Sequence, residues 1–122
     1  MIGYVCVGTN DLAESAKFYD QLLAELGAKR DWEMERFVAW SAGESSPKFL
    51  LIKPADGQPA TVGNGSMVSF RATSKEQVDA VYNKAISLGG KDEGAAGVRG
   101  EGFYAGYFRD LEGNKFCAFF MG

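Results

Sequence analysis

The segment Tyr4-Val5-Cys6-Val7 has a counterpart 63 residues later in Met67-Val68-Ser69-Phe70, and this internal duplication constrains the fold more than any other feature of the chain. Asp11-Leu-Ala-Glu14 and Ser74-Lys-Glu-Gln77 lie at the same offset, and both fit a capping box. In that motif the first side chain accepts from an orphan amide of the helix start, and the acid or amide three residues on reaches back. Leu26-Gly27-Ala28-Lys29 and Leu88-Gly89-Gly90-Lys91 then end the two helices, with glycine taking the left-handed turn. These ends differ by 62, which predicts a first helix one residue longer than the second.

The apolar spacing agrees. Leu12, Ala16, Tyr19, Leu23 and Leu26 form one helical stripe, and Val78, Val81, Ala85 and Leu88 form another. Each helix has one face to bury, and a sheet is its natural partner. Strand signals follow at Glu35–Ser41 and Lys48–Lys53, and again at Phe103–Arg109 and Lys115–Met121. The last two flank Asp110-Leu-Glu-Gly-Asn114, a hairpin connector in which Gly113 or Asn114 can take positive φ. A further strand after each helix starts near Arg30 and Asp92. The chain thus reads as one domain, 1–122, built from two βαβββ copies: about 1–55, then a Pro/Gly-rich linker over about 54–65, then 66–122.

Composition excludes several classes. With 122 residues, 46% hydrophobic and 24% charged, the balance is globular, and nine Phe, five Tyr and two Trp supply a core. A net charge of −3 without clustered Lys and Arg argues against nucleic acid. Histidine is absent, which removes the commonest metal ligand and neutral-pH base. Two cysteines are too few for a disulfide framework, and no apolar run is long enough for a membrane span. A cytoplasmic protein with reduced thiols and no membrane partner is expected.

Asn10-Asp11-Leu12 with Phe18-Tyr19, then Ser69-Phe70-Arg71, Gly97-Val98-Arg99 and above all Tyr104-Ala-Gly-Tyr-Phe-Arg-Asp-Leu-Glu-Gly-Asn-Lys115 resemble the vicinal oxygen chelate superfamily. That group includes glyoxalase I, bleomycin-resistance proteins and extradiol dioxygenases. The resemblance spans almost the whole chain. It departs at Asp110-Leu111, where an Asp-Pro is usual. It implies an α+β fold in which two βαβββ modules curl eight strands into an incomplete barrel, helices outside, around a cleft. It also implies a homodimer. Metal-dependent members of that group carry His, His and Glu at positions matched here by Tyr4, Met67 and Cys117, with Leu50 the fourth position.

Period-two alternation places these residues independently. If Val5, Val7, Val68, Phe70, Phe116, Ala118 and Phe120 face the helices, then Tyr4, Cys6, Met67, Ser69, Arg71, Cys117 and Phe119 face the cleft. A phenol, an alkyl group, a thioether and a thiol are poor ligands for a hard or borderline divalent ion. No cofactor is therefore expected. Cys6 and Cys117 read either as small apolar fillers or as thiols activated by a neighbour such as Arg71. Glu33 and Glu35 read as a solvated strand edge or as a cleft base. Trp32, Trp40, Phe37, Tyr104 and Tyr107 read as sheet core or as cleft aromatics. Arg99, within the glycine-rich stretch Glu93–Gly102, reads as part of a mobile loop or as an anion contact, while Arg109 and Lys115 read as surface charges. The candidate cleft is Tyr4, Cys6, Trp32, Glu35, Trp40, Met67, Arg71, Arg99, Tyr104 and Cys117. The function expected is metal-free binding of a small molecule, of sequestration or resistance type. The alternative is a lyase- or dioxygenase-type enzyme with an atypical metal site or a Cys- or Glu-based mechanism.

Overall fold

Asp11 Oδ1 accepts from the Glu14 amide and opens the first helix, and Ser74 Oγ accepts from the Gln77 amide and opens the second. The computed structural model describes every residue from Met1 to Gly122. Its order is β1 (Tyr4–Gly8), α1 (Leu12–Ala24), β2 (Lys29–Glu33), β3 (Phe37–Ser41) and β4 (Lys48–Ile52), then β5 (Val68–Arg71), α2 (Lys75–Ser87), β6 (Lys91–Gly100), β7 (Phe103–Arg109) and β8 (Lys115–Met121). Both βαβββ copies are present.

The helices are equal in length, 13 residues each, which corrects the expectation of a longer first helix. The extra residue lies in the turn instead. Leu26 stands between the end cap Glu25 and Gly27, whereas Leu88 is itself the cap before Gly89. Both glycines have positive φ, 75° and 100°, as the left-handed stop requires. The reach-back of the capping box is also only half realised. Gln77 Oε1 does reach back, but to the amide of Thr73, one residue before the cap Ser74, while the Asp11 amide donates to Thr9 Oγ1 rather than to Glu14.

The eight strands divide into two four-stranded sheets, ordered β1-β4-β3-β2 and β5-β8-β7-β6. Within each sheet the first strand runs parallel to the last and the other pairs are antiparallel. No ladder joins the sheets, so β1 and β5 are both edge strands and the barrel is not closed. The stretch Glu93–Gly102 is not a free loop over most of its length. It belongs to the ten-residue β6, whose pairing with β7 shifts register three times around its glycines.

One core joins the two copies. Helix α1 packs on β2, β3 and β4, α2 packs on β6, β7 and β8, and the helices touch. Phe116 sits at the junction, its ring stacked on Phe70 at 5.4 Å and on Phe108 at 5.8 Å, and edge-on to Tyr19 and Phe49. The helix-facing positions Val38, Trp40, Phe49, Leu51, Phe116 and Ala118 are all buried in this cluster. Their neighbours along each strand therefore emerge on the opposite, helix-free face, and that alternation positions the candidate site.

Candidate functional site

On the first sheet the helix-free face carries Tyr4 and Cys6 from β1, Trp32 from β2, Phe37 from β3 and Leu50 from β4. A bulge between Arg30 and Trp32 turns the indole to this side, where it meets Phe37 edge-on at 5.3 Å. Tyr4 and Trp32 are 58% and 55% exposed, large apolar surfaces open to solvent. Asp31 accepts from Ser41 Oγ at 2.7 Å and pairs with Lys48. Lys48 and Ser41 together hold its carboxyl below the usual aspartate range.

On the second sheet the same face carries Met67, Ser69, Arg71, Tyr107, Lys115, Cys117 and Phe119. Register places Ser69 and Tyr107 on either side of Cys117, and Arg71 beside Phe119. Cys117 is 2% exposed, and burial pushes its thiol up against the opposing pull of Ser69, Tyr107, Arg99 and Lys115. Arg99 lies back along its own strand. Its guanidinium carbon stands 5.5 Å from the Tyr107 ring centre, and one of its N–H groups donates to the Ala95 carbonyl. Glycine makes room for it: a Cβ on Gly94 or Gly97 would come within 3.2 Å of that guanidinium.

Two cavities lie at the seam between the copies. One, of about 310 Å³, is lined by Cys6, Val7, Gly8 and Thr61–Gly63, with Ser66–Val68, Asn114 and Lys115. The other, of about 500 Å³, is lined by Leu23, Leu26, Trp40, Phe49, Phe70 and Arg71, among others. They are related by the duplication, since residues 6–8 line the first and their counterparts 69–71 line the second. The linker closes over only the first.

The structure places Tyr4, Cys6, Trp32, Met67, Arg71, Arg99 and Cys117 on the helix-free face or at its seam, and three other expected cleft residues elsewhere. Trp40 shares parity with Val38, is 1% exposed in the core, and donates its indole N–H to Asp20 on α1 at 3.0 Å. Its ring packs on Tyr19 and Phe49 and also lines the second cavity. Tyr104 shares parity with Phe108, and its O–H donates to Asp79 on α2 at 2.6 Å. Glu35 lies in the turn between β2 and β3, in a shallow depression on the α1 side with Asn10, Lys17, Arg30 and Lys53. Lys115 moves the other way, from a presumed surface charge to the site, and its parity with Cys117 was the signal for it.

The donor set does not suit a divalent metal. Of Tyr4, Leu50, Met67 and Cys117, only Met67 lines the first seam cavity. No three His, Cys, Asp or Glu side chains converge closely enough to share an ion. Thioether and alkyl groups give zinc, nickel or iron nothing to replace imidazole and carboxylate.

Comparison with known proteins follows the same lines. The Glyoxalase/Bleomycin resistance protein/Dioxygenase superfamily matches residues 1–118. A glyoxalase/bleomycin resistance protein from Albidiferax ferrireducens T118 is 41% identical, with a TM-score of 0.90 over 98% of this chain and 97% of that one. A hypothetical protein from S. aureus is 26% identical, with a TM-score of 0.74 over 98% and 92%. A lactoylglutathione lyase from Agrobacterium tumefaciens, 22% identical, shares the fold with a TM-score of 0.70 over 98% and 92%. No curated protein sequence matches the chain.

Proposed function

The chain belongs to the glyoxalase/bleomycin resistance protein/dioxygenase superfamily, and from that premise we propose that it binds a small organic molecule on its helix-free face without a metal ion, as a sequestration- or resistance-type protein. One observation carries the reading. The positions matched to the ligand residues of metal-dependent relatives hold Tyr4, Leu50, Met67 and Cys117, which make an apolar and weakly polar lining in place of an ion-binding one. Such a lining with a few polar groups suits an organic ligand.

The groups that a metal-free reaction would need are poorly placed. Burial raises the Cys117 thiol, which disfavours the thiolate nucleophile. Glu35, the expected base, lies on the α1 side, away from Cys117.

The same reading takes the protein as a cytoplasmic homodimer. Exposed Tyr4, Trp32, Met67 and Met121 on the helix-free faces, together with the open edges of β1 and β5, support a second copy covering part of this surface. No helix is long and apolar enough to cross a membrane.

The test is elemental analysis of protein purified without chelator, followed by a thermal-shift screen of small organic molecules. The reading expects no stoichiometric Zn, Ni, Mn or Fe and at least one compound that raises Tm, because a ligand specific for the native state must do so. A stoichiometric transition metal, or a full screen that leaves Tm unmoved, overturns it.

A further inference from the structure

We infer that the ligand of this face is an organic anion, a carboxylate on an apolar body, whose acid group is taken by Arg99 and Lys115, with Arg71 further along the same face. The inference rests on the binding reading above and names the chemical class of what is bound.

Five of the chain's cations are held in ion pairs. Arg30 is paired with Asp20 and Glu33, Lys48 with Asp31, Lys84 with Glu25, Lys17 with Glu14 and Arg109 with Glu93. Eight cations stand outside these pairs, and three of them, Arg71, Arg99 and Lys115, share the helix-free face of the second sheet. Each lies over a ring of that same face. Arg71 is 5.3 Å from the centre of Phe119, while Arg99 and Lys115 are 5.5 Å and 5.9 Å from the centre of Tyr107. Phe119 and Tyr107 are diagonal cross-strand neighbours through the Cys117 pairing, within reach of one bound molecule.

Three like charges gathered on one face repel each other, and a protein relieves such repulsion with a counter-charge. The nearby acids offset them only in part, Asp92 acting on Arg99 and Glu93 on Lys115 without a direct ion pair. Glu93 is taken by Arg109. Asp92 is occupied by the Tyr82 O–H and the Gly94 amide, at 2.8 Å and 2.7 Å.

Arg99 is also fixed in place. A Cβ on Gly94 or Gly97 would crowd its guanidinium at 3.2 Å, the Ala95 carbonyl takes one N–H, and Tyr107 supports the plane. Of its five donors only that one is spent within the chain, which leaves a preorganised fork for a carboxylate. The rings of Tyr107 and Phe119 and the buried Cys117 beneath them supply the apolar floor for the rest of the molecule.

The experiment uses matched pairs in the full-length protein: benzoate, 2-naphthoate, 3-phenylpropionate and octanoate against their neutral amides. Affinity is measured by calorimetry and thermal shift, in wild type and in Arg99→Gln, Lys115→Gln, Arg71→Gln and Lys75→Gln. Lys75 lies over Tyr104 at the start of α2 and reports loss of charge away from the face. At least one acid is expected to bind about tenfold or more tightly than its amide. Arg99→Gln and Lys115→Gln should erase that preference, Arg71→Gln should weaken it, and Lys75→Gln should leave it. Amides binding as tightly as acids, or acids binding Arg99→Gln and Lys115→Gln unchanged, overturn the anion inference while metal-free binding stands. If only neutral or cationic compounds of the broader screen raise Tm, the inference again falls alone. If no compound of any class does so, both fall.

Discussion

Tyr19 on α1 donates its phenolic O–H to Asp110 Oδ2 in the turn between β7 and β8, across 91 residues of sequence. Both groups are buried. The same turn reaches back twice more: Asn114 Nδ2 donates to the Gly8 carbonyl at 3.0 Å, and Glu112 accepts from the Asn10 amide and side chain. The two copies are therefore clasped by a polar network as well as by the aromatic cluster around Phe116. Asp110 also takes the amides of Glu112 and Asn114, so its carboxylate is satisfied by four donor groups and no cation.

Tyr19→Phe removes one donor from that buried acceptor. The expected loss is about 1.5–3 kcal/mol of unfolding free energy, the range for a hydrogen bond to a charged group. Urea denaturation at unchanged m-value checks it. Burial, with Asp110 next, lifts the Tyr19 phenol well above its ordinary value of about 10. A raised native value means that its contribution is complete below the unfolded value and is lost as pH rises through the folded one. Stability should therefore fall as pH climbs above about 10, and fall less in Tyr19→Phe.

The two cysteines should separate kinetically. Cys6 is exposed and Cys117 is buried. A disulfide reagent at pH 8 should modify one thiol quickly and the second only on unfolding. Cys6→Ser should abolish the fast phase, and Cys117→Ser should leave it. Two fast thiols in the wild type would mean that the floor of the site is open.

Gly90 is held by sterics alone, at a φ any residue can adopt. A Cβ there would stand 2.7 Å from both the Ala85 and the Arg109 carbonyl oxygens, backbone atoms that cannot rotate away. Gly90→Ala should cost about 2 kcal/mol or more, in the range of overpacked sites. Gly3→Ala, with nothing within 4 Å, should change thermal stability little. Equal Tm values for the two variants would contradict the close approach of α2 to β7.

Much of this architecture was legible because it rests on local rules. The capping residues Asp11 and Ser74, the stop glycines Gly27 and Gly89 and the positive φ of Gly113, at 96°, each follow from a motif of a few residues. Period-two alternation likewise put Tyr4, Cys6, Met67 and Cys117 on the correct face. On β3 and β7 the same parity carries Trp40 and Tyr104 to the helices, although their aromatic character also suits a cleft. Glu35 failed because a strand drawn from Glu35 begins at Phe37 instead, which leaves the carboxylate in a turn. Arg99 lay beyond local rules, since its position depends on register shifts in β6 and on the glycine spaces opposite Tyr107. Nor does a chain alone show that the Asp31 and Lys48 side chains meet, 17 residues apart.

The most direct test is calorimetric titration of the best compound from the screen, run on the same protein with and without excess EDTA. Metal-free binding predicts one Kd and one stoichiometry in both buffers, and the same Kd after prior incubation with zinc or nickel. Binding that vanishes under EDTA and returns when a divalent ion is restored would contradict the account.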